Sequence, residues 1–307
     1  MDKKSRIYVA GHGGLVGSAL VRRLVADGYE NVLTVSRHDV DLRRRDEVMQ
    51  WFGNNTPEYV FLAAARVGGI GANAADPVGF LEDNSRIALN VIEASFLHSV
   101  RKLVNLGSSC IYPRDCPQPM KPEYLLTGPL ETTNKSYALA KLLAIQACES
   151  YQQQYGCNFI TALPTNLYGP GDRYDMNTSH VVPAMTLKFL RAKQSGRTPV
   201  LWGDGRPRRE LMHVDDCVDA LLFLARQYHG AAPVNVGSGE ELSIKAIADT
   251  VARVVWYVGP VDWDATKPNG TPRKLLDCSV LRGLGWAGPR FDFEQGLRQT
   301  LDAYIGS

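Results

Sequence analysis

The chain has 307 residues, of which 34 are Lys or Arg and 32 are Asp or Glu, so its formal net charge is only +2 and no long basic block tracks a nucleic-acid backbone. Six scattered cysteines (Cys110, Cys116, Cys148, Cys157, Cys217, Cys278) include no Cys-x-x-Cys pair, which argues against a disulfide framework and against zinc. The start carries no signal-peptide apolar region, and no window approaches the ~20 apolar residues of a membrane span, so the reading is a soluble, cytoplasmic protein large enough to bury a substantial core.

Arg6-Ile7-Tyr8-Val9-Ala10 is a short β-rich run that ends in Gly11-His12-Gly13-Gly14-Leu15-Val16-Gly17, and helical apolar spacing follows to Ala26. Strand, glycine turn and helix in that order are what a dinucleotide site requires. Gly11 permits a tight turn, Gly14 lets backbone approach a pyrophosphate, Gly17 allows close helix packing, and the helix N-terminus offers unpaired N–H groups to the anion. Gly11, Gly14, Leu15, Val16 and Gly17 are therefore expected at the cofactor. A second strand, Asn31 to Val35, leads into Ser36-Arg37 rather than an acidic residue. A guanidinium there suits a ribose 2′-phosphate, so NADP is favoured over NAD even with Asp39 and Asp41 close by. The third strand, Glu58 to Ala65, is largely apolar, and its small residues Ala63 and Ala64 leave room for a cofactor at the sheet edge.

A long amphipathic helix is expected over Pro77 to His98, then a strand over Lys102 to Leu106 that ends in Gly107-Ser108-Ser109-Cys110. Hydroxyls and a thiol at the C-terminal edge of a parallel sheet sit where ligands bind, although a free cysteine is more commonly a small buried hydrophobe. After a Pro-rich surface loop, Arg114 to Thr133, a helix through Tyr155 carries Tyr137 and Lys141 on one face at i and i+4. A cation so placed is expected to lower the phenol from its reference pKa of roughly 10, fitting it for general acid–base work on a substrate oxygen. Asn158 to Leu163 is a further strand. From Pro164 to Asp172 turn residues dominate, and the change of domain is placed there: residues 1–165 bind the cofactor and 166–307 mainly the substrate, with some segments returning to the first unit. His180 opens a helix to about Lys193, Val200 to Trp202 is a strand, and Arg206 to Glu210 reads as a basic loop. Val214 to Ala220 starts a helix, Val234 to Gly239 is a strand and turn, and Thr266 to Lys274 is a turn-rich basic segment. The fold class is a doubly wound parallel α/β sheet with a smaller C-terminal α/β unit.

Taken together, Ala10-Gly11-His12, Leu62 to Ala65, Val67 to Ile70, Leu106 to Pro113, Tyr137 to Lys141, Pro164 to Pro170, Arg209 to Asp216 and Lys267 to Asp277 resemble the extended short-chain dehydrogenase/reductase family, in particular its GDP-4-keto-6-deoxymannose epimerase/reductases. The resemblance runs nearly end to end. It implies NADPH-dependent epimerisation at C3 and C5 and reduction at C4 of a GDP-sugar, giving GDP-L-fucose, in a homodimer paired through the two long helices. It also implies Ser108 and Tyr137 at the sugar C4 oxygen, Lys141 on the nicotinamide ribose, Cys110 and His180 exchanging protons at C3 and C5, Pro164, Asn166, Leu167 and His180 along the cofactor, and Lys188, Trp202, Arg209 and Lys267 at the GDP-sugar. Four positions depart from the family pattern: Gly13 stands where arginine is frequent, Asn269 where aspartate is common, and Lys135-Ser136 where an acidic residue and proline are common. A dehydratase of the same superfamily would carry an acidic pair in place of Ser109-Cys110. A simple 4-epimerase would keep Ser108, Tyr137 and Lys141 without needing the thiol, and a related colitose-type reductase would act on a neighbouring GDP-sugar.

Overall fold

The computed structural model describes residues 1–175, 179–267 and 269–306. Its strands are β1 (Arg6–Ala10), β2 (Asn31–Leu33), β3 (Tyr59–Leu62), β4 (Lys102–Leu106), β5 (Phe159–Pro164), β6 (Asn166–Tyr168), β7 (Val200–Trp202), β8 (Arg208–His213), β9 (Val234–Val236), β10 (Glu241–Ser243), β11 (Asp262–Asp264) and β12 (Arg273–Lys274). The helices are α1 (Leu15–Ala26), α2 (Arg45–Asn55), α3 (Ile70–Ala75), α4 (Pro77–Leu97), α5 (Lys135–Tyr155), α6 (Val181–Ser195), α7 (Val214–Gln227), α8 (Ile244–Val254), α9 (Ser279–Gly283) and α10 (Phe293–Ile305).

Residues of β4 and β5 are buried along their whole length, as apolar strands covered on both faces must be. They belong to a six-stranded parallel sheet of order β2-β1-β3-β4-β5-β9. On one face Leu20 and Leu24 of α1 pack with Cys217 and Leu221 of α7; on the other Phe52 of α2, Ile92 of α4 and Cys148 of α5 form a second core. Cys148 and Cys217 are thus packing residues. The chain winds in opposite directions on either side of β1, so a crevice opens beyond the C-terminal ends of β1 and β3, where doubly wound sheets bind ligands.

The C-terminal unit is built around β8, which pairs β10 antiparallel and β12 and β6 parallel, while β7 and β11 form a separate pair. Part of the expected basic loop at 206–210 is therefore strand: Arg208 of β8 and Arg273 of β12 both donate to Glu241 of β10 at 2.8 Å, so their charges staple the sheet rather than lying in a solvated turn. The segment read as turn after Pro164 contains β6. Beyond α7 the chain returns to the first unit, because β9 adds to β5 as the sixth strand. Buried Glu210 accepts from Gly239 N at 2.7 Å and Leu276 N at 2.9 Å, and Asn235 of β9 accepts from the Tyr112 hydroxyl at 2.6 Å, so satisfied polar groups fix the returning segments in place. Within the turn-rich segment 266–274, Pro268 lies outside the described residues. Among the described residues no helix is long and apolar enough to cross a membrane.

Candidate active site

The glycine turn is dictated by crowding. Gly11 has φ +87°, and a Cβ there would stand 2.6 Å from the backbone of Ala64, while one on Gly17 would stand 2.0 Å from the Gly11 carbonyl oxygen. Only glycine lets β1, β3 and α1 meet so closely. A Cβ on Gly14 would meet nothing nearer than 3.5 Å, and one on Gly13 nothing within 4 Å, so the protein itself leaves this rim open. Gly14 caps α1 without a side chain of its own, and Leu15 and Val16 begin the helix. Beside them lies a cleft of about 430 Å³ lined by Gly11 to Gly14, Ser36, Arg37, Ala63 and Ala64. A cradle that a Cβ would fill, open backbone donors and a buried His12 Nδ1 with no hydrogen-bond partner among the described residues fit a dinucleotide.

Three arginines line this cleft and they are not equivalent: Arg66 is tied to Asp76 at 2.8 Å. Arg43 is held by Asp41 at 2.5 Å and Asp83 at 3.1 Å, and that hydrogen bonding draws the Asp41 carboxyl down to about 2. Arg37 makes no side-chain hydrogen bond or salt bridge among the described residues, which leaves its fork available to an anion. Arg37→Ala is expected to weaken NADPH about tenfold, or about 1.4 kcal/mol, and to leave NADH unchanged; equal losses in fluorescence titrations of the two cofactors would remove Arg37 from the 2′-phosphate. Sequence reading missed Arg43 and Asp83, because their pairing joins residues forty apart.

Next to the cleft, β4 delivers Ser108, whose hydroxyl caps the short turn Ser109–Ile111 by accepting from Cys110 N at 3.2 Å. The Ser108 side chain is also hydrogen-bonded to Tyr137, and Tyr137 in turn feels Cys110. Lys141 Nζ lies 6.0 Å from the Tyr137 ring centroid and donates to the Leu106 carbonyl at 2.7 Å. Helical spacing thus does put phenol and ammonium together. The expected electrostatic consequence is reversed, however: burial pushes the Tyr137 hydroxyl well above its ordinary value, outweighing its hydrogen bond from the Ser108 side. Lys141, 7% exposed and satisfied by a neutral carbonyl, is itself lowered by burial to about 8. Its charge is therefore lost as pH rises through about 8, and kcat/KM should fall above that value, the sign opposite to that of a base needing deprotonation. A pH–rate profile flat to pH 10 would show that Lys141 acts without its charge.

The remaining sequence-selected residues fall into four further places. Arg209, on β8, interacts electrostatically with Cys110, and burial lowers its guanidinium. Lys188 and Lys267 lie 5.8 and 5.9 Å from the ring centroid of Trp202, which is 60% exposed, so an aromatic face is flanked by two ammonium groups. Lys188 also donates to the Val200 carbonyl at 2.8 Å. Asn269 accepts from Asp204 N at 2.9 Å and its side chain also bonds the Asp204 carboxyl, a donation that an aspartate at 269 could not make. Pro164 ends β5, and Asn166 and Leu167 lie on β6, where Asn166 donates to the Glu210 carbonyl at 3.3 Å. His180 caps α6 with its backbone while its ring makes no cap bond, and the loop before it touches α1 through Gly171, where a Cβ would stand 3.1 Å from Ser18 Oγ.

A parallel sheet with a glycine turn at its switch point and a Ser, Tyr and Lys cluster at the neighbouring strand end defines an enzyme of the nicotinamide-dependent short-chain dehydrogenase/reductase type. The chain belongs to the NAD dependent epimerase/dehydratase family, whose model matches residues 7–237. It is 48% identical to GDP-L-fucose synthase 1 of Arabidopsis thaliana, over 99% of this chain and 94% of that protein. Among solved structures it resembles a GDP-mannoheptose C4 reductase from Campylobacter jejuni with NADP bound, at TM-score 0.92 and 34% identity over 99% of both chains. A GDP-L-fucose synthetase from Naegleria fowleri bound to NADP matches at TM-score 0.93 and 26% identity, covering 100% of this chain and 95% of that one.

Proposed function

We propose that the protein uses NADPH to epimerise GDP-4-keto-6-deoxy-D-mannose at C3 and C5 and reduce it at C4, yielding GDP-L-fucose. The observation that carries this reading is the grouping of Ser108, Cys110, Tyr137, Lys141 and Arg209 beside the cofactor cleft, in a chain that is similar along its whole length to a GDP-L-fucose synthase. When bound, NADPH supplies the hydride for C4. Ser108 holds the C4 oxygen and Tyr137 gives it a proton; Lys141 steadies the ribose; Arg37 takes the 2′-phosphate. A C4 ketone acidifies the C–H bonds at C3 and C5, so Cys110 and His180 can remove a proton from one face and return one to the other. Arg209 holds the diphosphate bidentately, and Trp202 with Lys188 and Lys267 flanks the nucleotide.

Residues 1–165 carry the cofactor and 166–307 mainly the substrate. Free cysteines fit a reducing, cytoplasmic compartment. Leu81 and Leu89 of α4 and Leu139 and Leu143 of α5 are exposed at 38–41%, and we assign that paired-helix face to a homodimer. Sedimentation as a concentration-independent monomer would contradict it.

Incubation with GDP-4-keto-6-deoxymannose and NADPH tests the function. Oxidation of the nicotinamide, deuterium from heavy water at C3 and C5 and a galacto-configured 6-deoxy product are expected. Likeness to the Campylobacter C4 reductase favours a second reading, reduction without epimerisation, which would give nicotinamide oxidation with no deuterium.

A further inference from the structure

The turn that carries Cys110 is tied down on both sides. On its N-terminal side Gly107 N still donates to the Ala162 carbonyl of β5 at 2.8 Å, and the next residue, Ser108, accepts from Cys110 N at 3.2 Å through its Oγ. On its C-terminal side Tyr112, 4% exposed, donates its hydroxyl to Asn235 Oδ1 at 2.6 Å. Asn235, on β9 and 1% exposed, also donates from Nδ2 to the Met120 carbonyl at 2.8 Å and to the Asp277 carbonyl at 3.0 Å. Carbonyl oxygens only accept, so these two fix the orientation of the amide and leave its oxygen for the phenol. Met120 and Asp277 are themselves joined, Asp277 N donating to the Met120 carbonyl at 2.8 Å, while Met120 N donates to the Leu275 carbonyl at 2.7 Å. The amide is thus seated in a frame of three chain segments with both N–H groups and its oxygen in use.

We propose that Tyr112 and Asn235 are a positioning pair for the Cys110 thiol: the buried hydrogen bond between them fixes the far end of the turn and so holds the thiol at one place relative to the sugar. The proposal rests on the reading of Cys110 as a proton-transfer group, which must lie within hydrogen-bond reach of the atom it deprotonates. Ile111 and the Tyr112 ring also pack in an apolar cluster with Ala138 and Leu142 of α5. Such packing is non-directional, whereas a hydrogen bond to a fully committed amide sets a direction.

Tyr112→Phe keeps the ring in that cluster and removes only the hydroxyl. In the full-length enzyme, deuterium exchange at C3 and C5 should fall about tenfold, within the ~10²-fold that a displacement of about 1 Å costs. Single-turnover hydride transfer to C4 and NADPH affinity should be unchanged, because Ser108 stays anchored through Gly107 and β5. Iodoacetamide reads the turn independently of catalysis. Alkylation of Cys110, followed by peptide mass spectrometry against the partly exposed Cys157 at the opposite end of the sheet, should rise about threefold or more, since a turn held at one end opens more often. Equal losses of exchange and hydride transfer, or Cys110 alkylation at the wild-type rate, would overturn the proposal. If the wild-type enzyme itself exchanged no deuterium, the epimerase reading would fall, and the alkylation comparison alone would decide whether the pair anchors the thiol.

Discussion

Tyr137→Phe is expected to slow reduction at C4 by about 10³-fold, within the 10²–10⁴ that a positioned acid contributes, with NADPH affinity unchanged. The ring would stay where it is, edge-on to Phe80 with centroids 6.5 Å apart, because phenylalanine fills the same space. What is lost is a hydroxyl that burial keeps protonated at neutral pH and that is bonded to the Ser108 side chain. A phenol held above its ordinary pKa is a weaker acid, but at neutral pH it carries the proton that an incipient C4 alkoxide, a much stronger base, can take. The Lys141 ammonium lies 6.0 Å from the centroid of the same ring. Single-turnover oxidation of NADPH against titrated cofactor affinity separates the two effects, and near-normal turnover in the variant would transfer the acid role to another group.

Cys110→Ser should abolish solvent exchange at C3 and C5, by about 10³-fold or more, while hydride transfer to C4 continues and yields an unepimerised 6-deoxy sugar. Serine preserves the geometry: the backbone N–H of residue 110 still donates to Ser108 Oγ, and the short turn Ser109–Ile111 is set by that cap rather than by the thiol. A hydroxyl, however, does not ionise in the working pH range, so it cannot collect the proton. Cys110 interacts electrostatically with both the Tyr137 phenol and the Arg209 guanidinium. Mass spectrometry of the sugar after incubation in heavy water without NADPH isolates this half-reaction. Undiminished exchange would return Cys110 to the commoner fate of a packed small hydrophobe.

Much of the first unit was legible because its constraints are local. A strand running into glycines at 11, 14 and 17 has one low-energy continuation, and the structure shows the reason at Gly11 and Gly17, where a Cβ would collide with backbone. The four-residue spacing of Tyr137 and Lys141 is likewise a property of any helix, and α5 forms over Lys135–Tyr155 as the pattern required. Strand β4 and the start of α4 also agree with their apolar spacing.

Other features were decided by partners distant in sequence. Sequence alone placed a strand near 234 but read 206–210 as a basic loop, because the pairing of β8 with β10 and β12, and of β9 with β5, depends on backbone donors and acceptors meeting across many intervening residues. The unequal fates of Arg37 and Arg43 turn on Asp41 and on Asp83, the second of which only folding brings to the cleft. Most telling is Tyr137: a neighbouring cation can be counted along the chain, whereas desolvation is the sum of every atom that excludes water from the phenol. That sum is a property of the closed shell around the site, and it reverses the pKa shift that the spacing of Tyr137 and Lys141 had promised.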